Sequence, residues 1–235
     1  MAYNITNIAD RVHAIDEDGF VQCFLLEGNE SAVLFDSCAG GGENFKNAVH
    51  SLTDKPIKLV LSHSDQDHTG GQEYFSAPTM HPAEYARYFS KGNEGKLVEP
   101  MWEGQMIDLG GIQLEAVLIP GHTPGSMALL DRVNRRLFVG DTISDSQIYM
   151  FGDGRDLRAF IASLHKLEAM KTHIETIHPA HGSPSLTTEW FTKTRAAAEK
   201  LQRGELPQKE PPFNLPCKLY SYDGVNLLYR EVKHE

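Results

Sequence analysis

Short apolar runs and turn-forming residues alternate in the first part of the chain. Three such runs lie at residues 12–15, 21–26 and 32–35. Their length and spacing are typical of an antiparallel β-meander. A different pattern follows, because apolar residues recur at intervals of three and four, at Phe45, Ala48, Val49 and Leu52. That spacing predicts an amphipathic helix, and residues 59–61 then predict a short buried strand.

Strands and helices continue to alternate along the rest of the chain. Further strands are predicted at residues 112–119, 127–130, 137–139 and 174–177, and a closing hairpin at 217–222 and 225–229. Further helices are predicted from Pro82 through Phe89, from Asp156 onward, and over residues 187–201. Residues 91–105 and 143–154 lack periodicity and predict irregular loops. The alternation indicates an α/β fold, and we expect residues 1–235 to form a single domain.

Composition and charge restrict the possible partners of the protein but add little about its fold. Hydrophobic residues make up 40% and charged residues 23% of the 235 residues, which is ordinary for a globular protein. The formal net charge is -10 without any block of lysine or arginine, which argues against nucleic acid or an anionic membrane as partner. The first residues lack the features of a signal peptide, and no apolar run approaches the ~20 residues that span a bilayer. We therefore expect a cytoplasmic protein with a small-molecule substrate, and we leave a homodimer open.

One stretch, KLVLSHSDQDHTGG at residues 58–71, concentrates polar side chains directly after a predicted strand. It carries His63, Asp65, Asp67 and His68 within six residues. Alternate residues of an extended chain point to the same side, so we expect His63, Asp65 and Asp67 to converge on one point. Nitrogen and oxygen donors at this density predict half of a metal site.

The other half of the site is predicted from the ends of other strands. Further donors follow predicted strands at Asp36, His122, Asp141 and His181. A sheet fixes the loops at its edge, so side chains that follow several strands can be held at one place.

The motifs that contain these donors resemble those of the metallo-β-lactamase superfamily. The matching segments are LFDS, HSDQDHTGG, PGHTPGS, VGD and PAHG, in the family's order, and they extend from Asp36 to Gly182. The resemblance implies a four-layer αββα sandwich, in which two mixed β-sheets carry helices on both outer faces. It also implies a site for two divalent metal ions, zinc by family, along one edge.

The resemblance assigns a role to each donor. His63, Asp65 and His122 would hold the first metal ion, Asp67, His68 and His181 would hold the second, and Asp141 would bridge the two. Asp36 would orient the ligands from behind. Asp67 would also orient the attacking water and shuttle its proton, which makes it the predicted catalytic residue.

Position 65 departs from the common pattern, because most relatives have histidine where this chain has Asp65. The flavodiiron proteins also have a carboxylate there. A carboxylate is a harder ligand than imidazole and favours iron or manganese. We expect a hydrolase that uses a two-metal-bound hydroxide on a small ester, thioester, lactone or phosphodiester. The alternatives are a non-haem di-iron oxidoreductase and a non-catalytic metal-binding module.

Overall fold

Two β-sheets packed face to face form the centre of the structure, a computed structural model that describes residues 2–231. The first sheet has the strand order β1 to β7, with bounds Tyr3–Ala9, Val12–Glu17, Val21–Glu27, Ala32–Phe35, Ile57–Val60, Thr79–Met80 and Glu99–Pro100. Neighbouring strands pair antiparallel from β1 to β4 and parallel from β4 to β7, so this sheet is mixed.

The chain continues through strands β8 to β16, with bounds Met106–Asp108, Gln113–Leu118, Met127–Asp131, Arg136–Gly140, Gln147–Met150, Thr176–Pro179, Leu186–Thr187, Lys218–Tyr222 and Val225–Tyr229. The second sheet has the order β14-β13-β11-β10-β9-β8, and it is also mixed because β11 and β13 run parallel. The remaining strands form a small third sheet in the order β12-β16-β15.

Helices cover the outer faces of the two main sheets. The α-helices α1 to α5 have the bounds Glu43–His50, Gln66–Thr69, Tyr85–Tyr88, Leu157–Ala169 and Glu189–Gln202. Buried side chains of α1 and α3 pack on the first sheet, and those of α4 and α5 pack on the second sheet. Among the described residues, no helix is both long and apolar enough to cross a membrane.

Strand β3 shows how the sequence produces these layers. Phe24 and Leu26 point into the core between the two sheets, whereas Cys23 and Leu25 lie in the outer core that also contains Phe45 of α1. All four strand residues are buried, because a strand covered on both faces presents apolar side chains to two layers. The predicted αββα sandwich is confirmed.

Some local predictions were wrong. β1 was missed because most of its residues are exposed or half-buried, so its sequence lacks a strong apolar alternation. Residues 143–154 were expected to be irregular, but they contain β12, which pairs parallel with β16 of the predicted hairpin. The predicted loop 91–105 contains the short strand β7. These pairings join segments that are distant in sequence, so no local pattern signals them. The single domain stays a prediction.

The helix predicted from Pro82 through Phe89 is present but irregular. It begins as a 3-10 turn at Pro82–Glu84, continues as α3, and ends in a π-helical turn at Phe89–Asn93. Lys91 and Gly92 break the helical geometry at its end. This segment brings three polar side chains, Glu84, Arg87 and Lys91, to the edge of the sandwich where the predicted donors lie.

We predict that Phe138→Ala destabilises the fold by about 3 to 5 kcal/mol, because Phe138 is fully buried between the sheets. Its ring lies 5.2 Å from that of Phe24 and stacks on His178 at 4.7 Å. Urea unfolding would give the free energy of unfolding of both proteins. Val133→Ala is the control, since that side chain is 78% exposed and should change stability by less than about 0.5 kcal/mol. Equal losses in both variants would contradict the assignment of this core.

Candidate metal centre

The predicted donors lie at one edge of the sandwich, where strands of both main sheets end. The structure brings them together in two groups. Cluster one consists of His63, Asp65 and His122, and cluster two consists of Asp67, His68, Asp141 and His181. Within each cluster the ligand atoms lie within 4.8 Å of one another. All seven predicted metal ligands are therefore present at the site, although their role as ligands stays a prediction.

The donor atoms of cluster two have the spacing that a single small ion requires. Asp141 Oδ1 lies 3.1 Å from His68 Nε2 and 3.4 Å from His181 Nε2, and Asp67 Oδ2 lies 3.3 Å from His181 Nε2. Bonds of about 2.0 to 2.1 Å in a tetrahedral site place ligand atoms roughly 3.3 Å apart. His68 Nε2 and Asp141 Oδ1 are also buried, and neither has a hydrogen-bond partner within residues 2–231. Cluster two therefore fits a divalent metal ion.

Asp141 lies between the two clusters. Its Oδ1 faces cluster two, and its Oδ2 lies 3.4 Å from His122 Nε2 and 4.0 Å from His63 Nε2 in cluster one. Glycine at position 140 allows Asp141 to lie here, because the backbone φ is 52° and a Cβ would lie only 2.7 Å from Ser62 Oγ. A side chain at residue 140 would push the two strand ends apart. The placement of Asp141 is that of the bridging residue that the family resemblance implies.

The expectation that His63, Asp65 and Asp67 converge on one point was wrong for Asp67. The chain is extended only as far as Asp65, which is the N-cap residue of α2. Helix α2 begins at Gln66 and turns the following side chains away, so that Asp67 and His68 join cluster two. A four-residue helix has too little periodicity to be recognised in a sequence.

Hydrogen bonds from behind orient the histidines of both clusters. The buried carboxylate of Asp36 accepts from the Ser62 N–H at 2.7 Å and the Ser62 hydroxyl at 2.8 Å. It also accepts from His68 Nδ1 at 2.9 Å, and the Ser62 hydroxyl oxygen in turn lies 2.9 Å from His63 Nδ1. His181 Nδ1 donates to the carbonyl of Phe20 at 2.7 Å. These contacts direct the Nε2 atoms of His63, His68 and His181 into the site.

The charges of cluster two favour a cation. Burial opposes protonation of His181, but the Asp141 carboxylate outweighs it and raises the pKa of His181 to about 10. Burial likewise opposes a charged His68, but Asp141 and Asp67 raise its pKa. Burial would raise the pKa of Asp67, but His68 and His181 lower it to about 2. A divalent ion would replace the protons of both histidines as the positive charge between these carboxylates.

Basic side chains that no sequence motif indicates surround Asp65. Asp65 Oδ1 accepts from Arg87 Nη2 at 2.7 Å and from Lys91 Nζ at 2.8 Å, and Asp65 Oδ2 accepts from Arg155 Nη2. Burial would raise the pKa of Asp65, but His122, His63 and Arg155 lower it. Arginines outside a recognisable motif give no local signal in the sequence.

Glu84 is a further polar residue that the sequence did not reveal. It is fully buried and accepts from the Ser64 N–H at 2.9 Å and the Gly125 N–H at 2.8 Å. Burial would raise its pKa, but the hydrogen bonds from Ser64 help to lower it. Glu84 therefore joins the loop of Asp65 to the loop of His122.

In cluster one, a cation of the protein contacts the donors that a divalent ion would need, although His63 Nε2 is buried without a hydrogen-bond partner among the described residues. Arg155 Nη2 contacts Asp65 Oδ2 and lies 3.1 Å from His122 Nε2. Two of the three predicted ligand atoms are therefore already bound to a cation. Burial and the Arg155 charge together lower the pKa of His122 to about 4, so its imidazole accepts this hydrogen bond in the neutral form.

A cleft of about 740 Å³ opens over both clusters. Its lining includes Asp67, Asp141, His181 and Arg155, and its apolar walls are formed by Phe20, Tyr149 and Phe213. Phe20 and Phe213 are 60% and 67% exposed, so the mouth of the cleft is open to solvent. A substrate with an apolar part and a polar reacting group could enter here.

We predict that Asp36→Asn weakens metal binding by about 10- to 100-fold. The amide nitrogen of asparagine cannot accept a hydrogen bond, so the bonds that one carboxylate oxygen accepts from Ser62 or His68 would be lost. Competition with a chromophoric chelator would measure the affinity. The matched control is Asp108→Asn, an exposed carboxylate that accepts hydrogen bonds from Gly110 and Gln113 close by in the chain. An unchanged affinity in Asp36→Asn would show that this network does not orient the ligands.

Known proteins resemble this chain in sequence and in structure. Acyl-coenzyme A thioesterase MBLAC2 of Gallus gallus is 26% identical over 157 residues, covering 54% of this chain and 57% of that protein. The lactamase-like protein nscB of Trichophyton rubrum is 27% identical over 163 residues, covering 68% of this chain and 48% of that protein. The chain thus spans about half the length of these curated relatives.

The structural comparison shows the same fold. A metallo-beta-lactamase from Pontibacter korlensis superposes with a TM-score of 0.71 at 21% identity, covering 84% of this chain and 99% of that one. The family model of the metallo-beta-lactamase superfamily matches residues 16–181, which is well over half of the chain. The match includes both clusters and supports an enzyme with a metal centre, as the sequence predicted. The chain belongs to the metallo-beta-lactamase superfamily.

Proposed function

We propose that the chain is a metal-dependent hydrolase of a carboxylic ester-type bond, with a thioester as the leading substrate class. The observation that carries this proposal is cluster two, in which two carboxylates and two imidazoles surround a position open to the cleft. Asp67, Asp141 and His181 line the cleft, so water or substrate from the cleft could reach an ion held by these side chains.

A bound divalent ion would act as a Lewis acid and lower the pKa of water from 15.7 to about 7. The ligands that would hold it are Asp67, His68, Asp141 and His181. Asp67 is the most exposed of the four side chains, at 27%, and its low pKa keeps the carboxylate ionised. It can accept a hydrogen bond from the attacking water and pass its proton to the leaving group. Hydrolysis of a thioester then forms a carbon–oxygen bond, breaks the carbon–sulfur bond and protonates the thiolate.

The substrate class rests on the cleft and on one relative. Acyl-coenzyme A thioesterase MBLAC2 acts on acyl thioesters by its name, and it shares the superfamily with this chain. The apolar walls at Phe20, Tyr149 and Phe213 suit an acyl chain or an aromatic group. Arg155, which lines the cleft beside both clusters, suits a substrate with a negatively charged oxygen.

The di-iron alternative needs a second metal ion in cluster one. Asp65, the residue that motivated it, is instead bound to three basic side chains. The non-catalytic alternative supposes that Asp65 marks a decayed site, whereas cluster two has all four of its predicted donors and lies beside the cleft. These observations favour the hydrolase. Which divalent metal it uses is part of the proposal, and we expect zinc or manganese in cluster two.

We predict metal-dependent turnover with the highest kcat/KM on an acyl thioester in a panel that also holds the matching oxygen ester, a lactone and a phosphodiester. Asp141→Asn should lower kcat/KM by about 10²- to 10³-fold, because it removes a charge from the metal-binding cluster. Asp223→Asn is the control, since Asp223 lies in the exposed turn between β15 and β16 and should leave kcat/KM unchanged. The assays compare chelator-treated protein with protein reloaded with zinc, manganese or iron.

The substrate panel distinguishes an error in the reaction type from an error in the substrate class. Turnover that survives metal removal, or full activity of Asp141→Asn, would contradict a metallo-hydrolase. Turnover restricted to the phosphodiester would contradict the thioester while leaving the metallo-hydrolase in place.

A further inference from the structure

Arg155 reaches cluster one from outside the family motifs. Its guanidinium Nη2 contacts Asp65 Oδ2 and lies 3.1 Å from His122 Nε2. Ninety residues separate Arg155 from Asp65 along the chain. Only 10% of the Arg155 side chain is exposed, so this contact is largely shielded from solvent and is not a surface ion pair.

The backbone fixes Arg155 to the loop that carries His122. The N–H of Asp156 donates to the carbonyl of Gly121 at 2.9 Å, and the side chain of Asp156 caps α4. A Cβ at Gly121 would lie 2.3 Å from the backbone of Phe160, so this loop sits directly on α4. The positions of Arg155 and His122 therefore depend on the same packed contact.

The other side of Asp65 is also occupied by cations. Its Oδ1 accepts from Arg87 and Lys91, so both carboxylate oxygens are engaged by basic groups. A divalent ion in cluster one would need Asp65 Oδ2 and His122 Nε2, the two atoms that Arg155 contacts. Like charges at such distances repel strongly in a buried site.

We propose that the guanidinium of Arg155 takes the place of the first metal ion, so that the chain binds one divalent ion, in cluster two. Asp65 and Arg155 then form a pair. The carboxylate at position 65 pairs its charge with the guanidinium, whereas a neutral histidine there would bind it more weakly. This explains why the chain departs from the family pattern at Asp65 without losing either histidine of cluster one.

An arginine in place of a metal ion changes the chemistry that cluster one can supply. A guanidinium stays protonated and donates hydrogen bonds, but it cannot activate a water as a metal ion does. Arg155 also lines the cleft, where it can bind a negatively charged oxygen of the substrate. This last step rests on the proposed hydrolase, whereas the number of bound metal ions does not.

The number of metal ions per chain tests the proposal without any substrate. Purified wild-type protein, stripped with a chelator, is titrated with Zn²⁺ and with Mn²⁺ by calorimetry, and the loaded protein is measured by mass spectrometry of its metals. We expect one ion per chain for the wild type. Arg155→Ala should bind two, because Asp65 Oδ2 and His122 Nε2 become free while Arg87 and Lys91 still hold Oδ1. Arg155→Leu keeps a buried apolar side chain and serves as a second variant in case Arg155→Ala folds poorly. It should also bind two ions.

Two further variants locate the second ion. Arg155→Ala combined with His122→Ala should return to one ion per chain, because it removes a ligand of cluster one only. Arg158→Ala is the matched control: Arg158 is an exposed arginine on the first turn of α4, three residues after Arg155, and should leave the count at one.

A wild-type protein that binds two ions would overturn the proposal. So would folded Arg155→Ala and Arg155→Leu variants that still bind one. Neither result depends on turnover, so the proposal can fail while the metallo-hydrolase stands, and a missing activity would not affect it.

Discussion

The buried carboxylate of Asp36 is the interaction on which the site depends. It accepts three hydrogen bonds, two from Ser62 at the end of β5 and one from His68 in α2. Through the Ser62 hydroxyl it also orients His63. Its backbone has a φ of 68°, which turns the chain sharply as β4 ends. One side chain thus fixes two neighbouring strand ends and a histidine in each cluster.

The two clusters differ in the charge that balances their carboxylates. In cluster two, Asp67 and Asp141 face the Nε2 atoms of His68 and His181, and neither carboxylate has a lysine or arginine partner among the described residues, so an added cation is needed. In cluster one, Asp65 already has Arg87, Lys91 and Arg155 as partners. The same edge of one fold therefore combines a metal-binding half with a half whose positive charge belongs to the protein itself.

The sequence predicted the parts of the molecule that local patterns encode. Apolar runs identified most strands of the two main sheets, and donors placed just after them identified all seven members of the clusters. The pairing of β12 with β16 and the contact of Arg155 with Asp65 could not be predicted, because each joins segments far apart in the chain. The departure from the family motif at Asp65 was visible in the sequence, but the sequence did not show which residue pairs with it. A carboxylate in place of a histidine indicates that a positive charge lies nearby, and only the fold shows which side chain carries it.

The identity of the cation in cluster one is the central claim, and a crystal structure of the zinc-loaded protein tests it most directly. Anomalous scattering recorded above and below the zinc edge would locate every bound ion. We predict one anomalous peak per chain, surrounded by Asp67, His68, Asp141 and His181, with the Arg155 guanidinium between Asp65 and His122. A second peak at His63, Asp65 and His122, with Arg155 displaced into the cleft, would contradict the account.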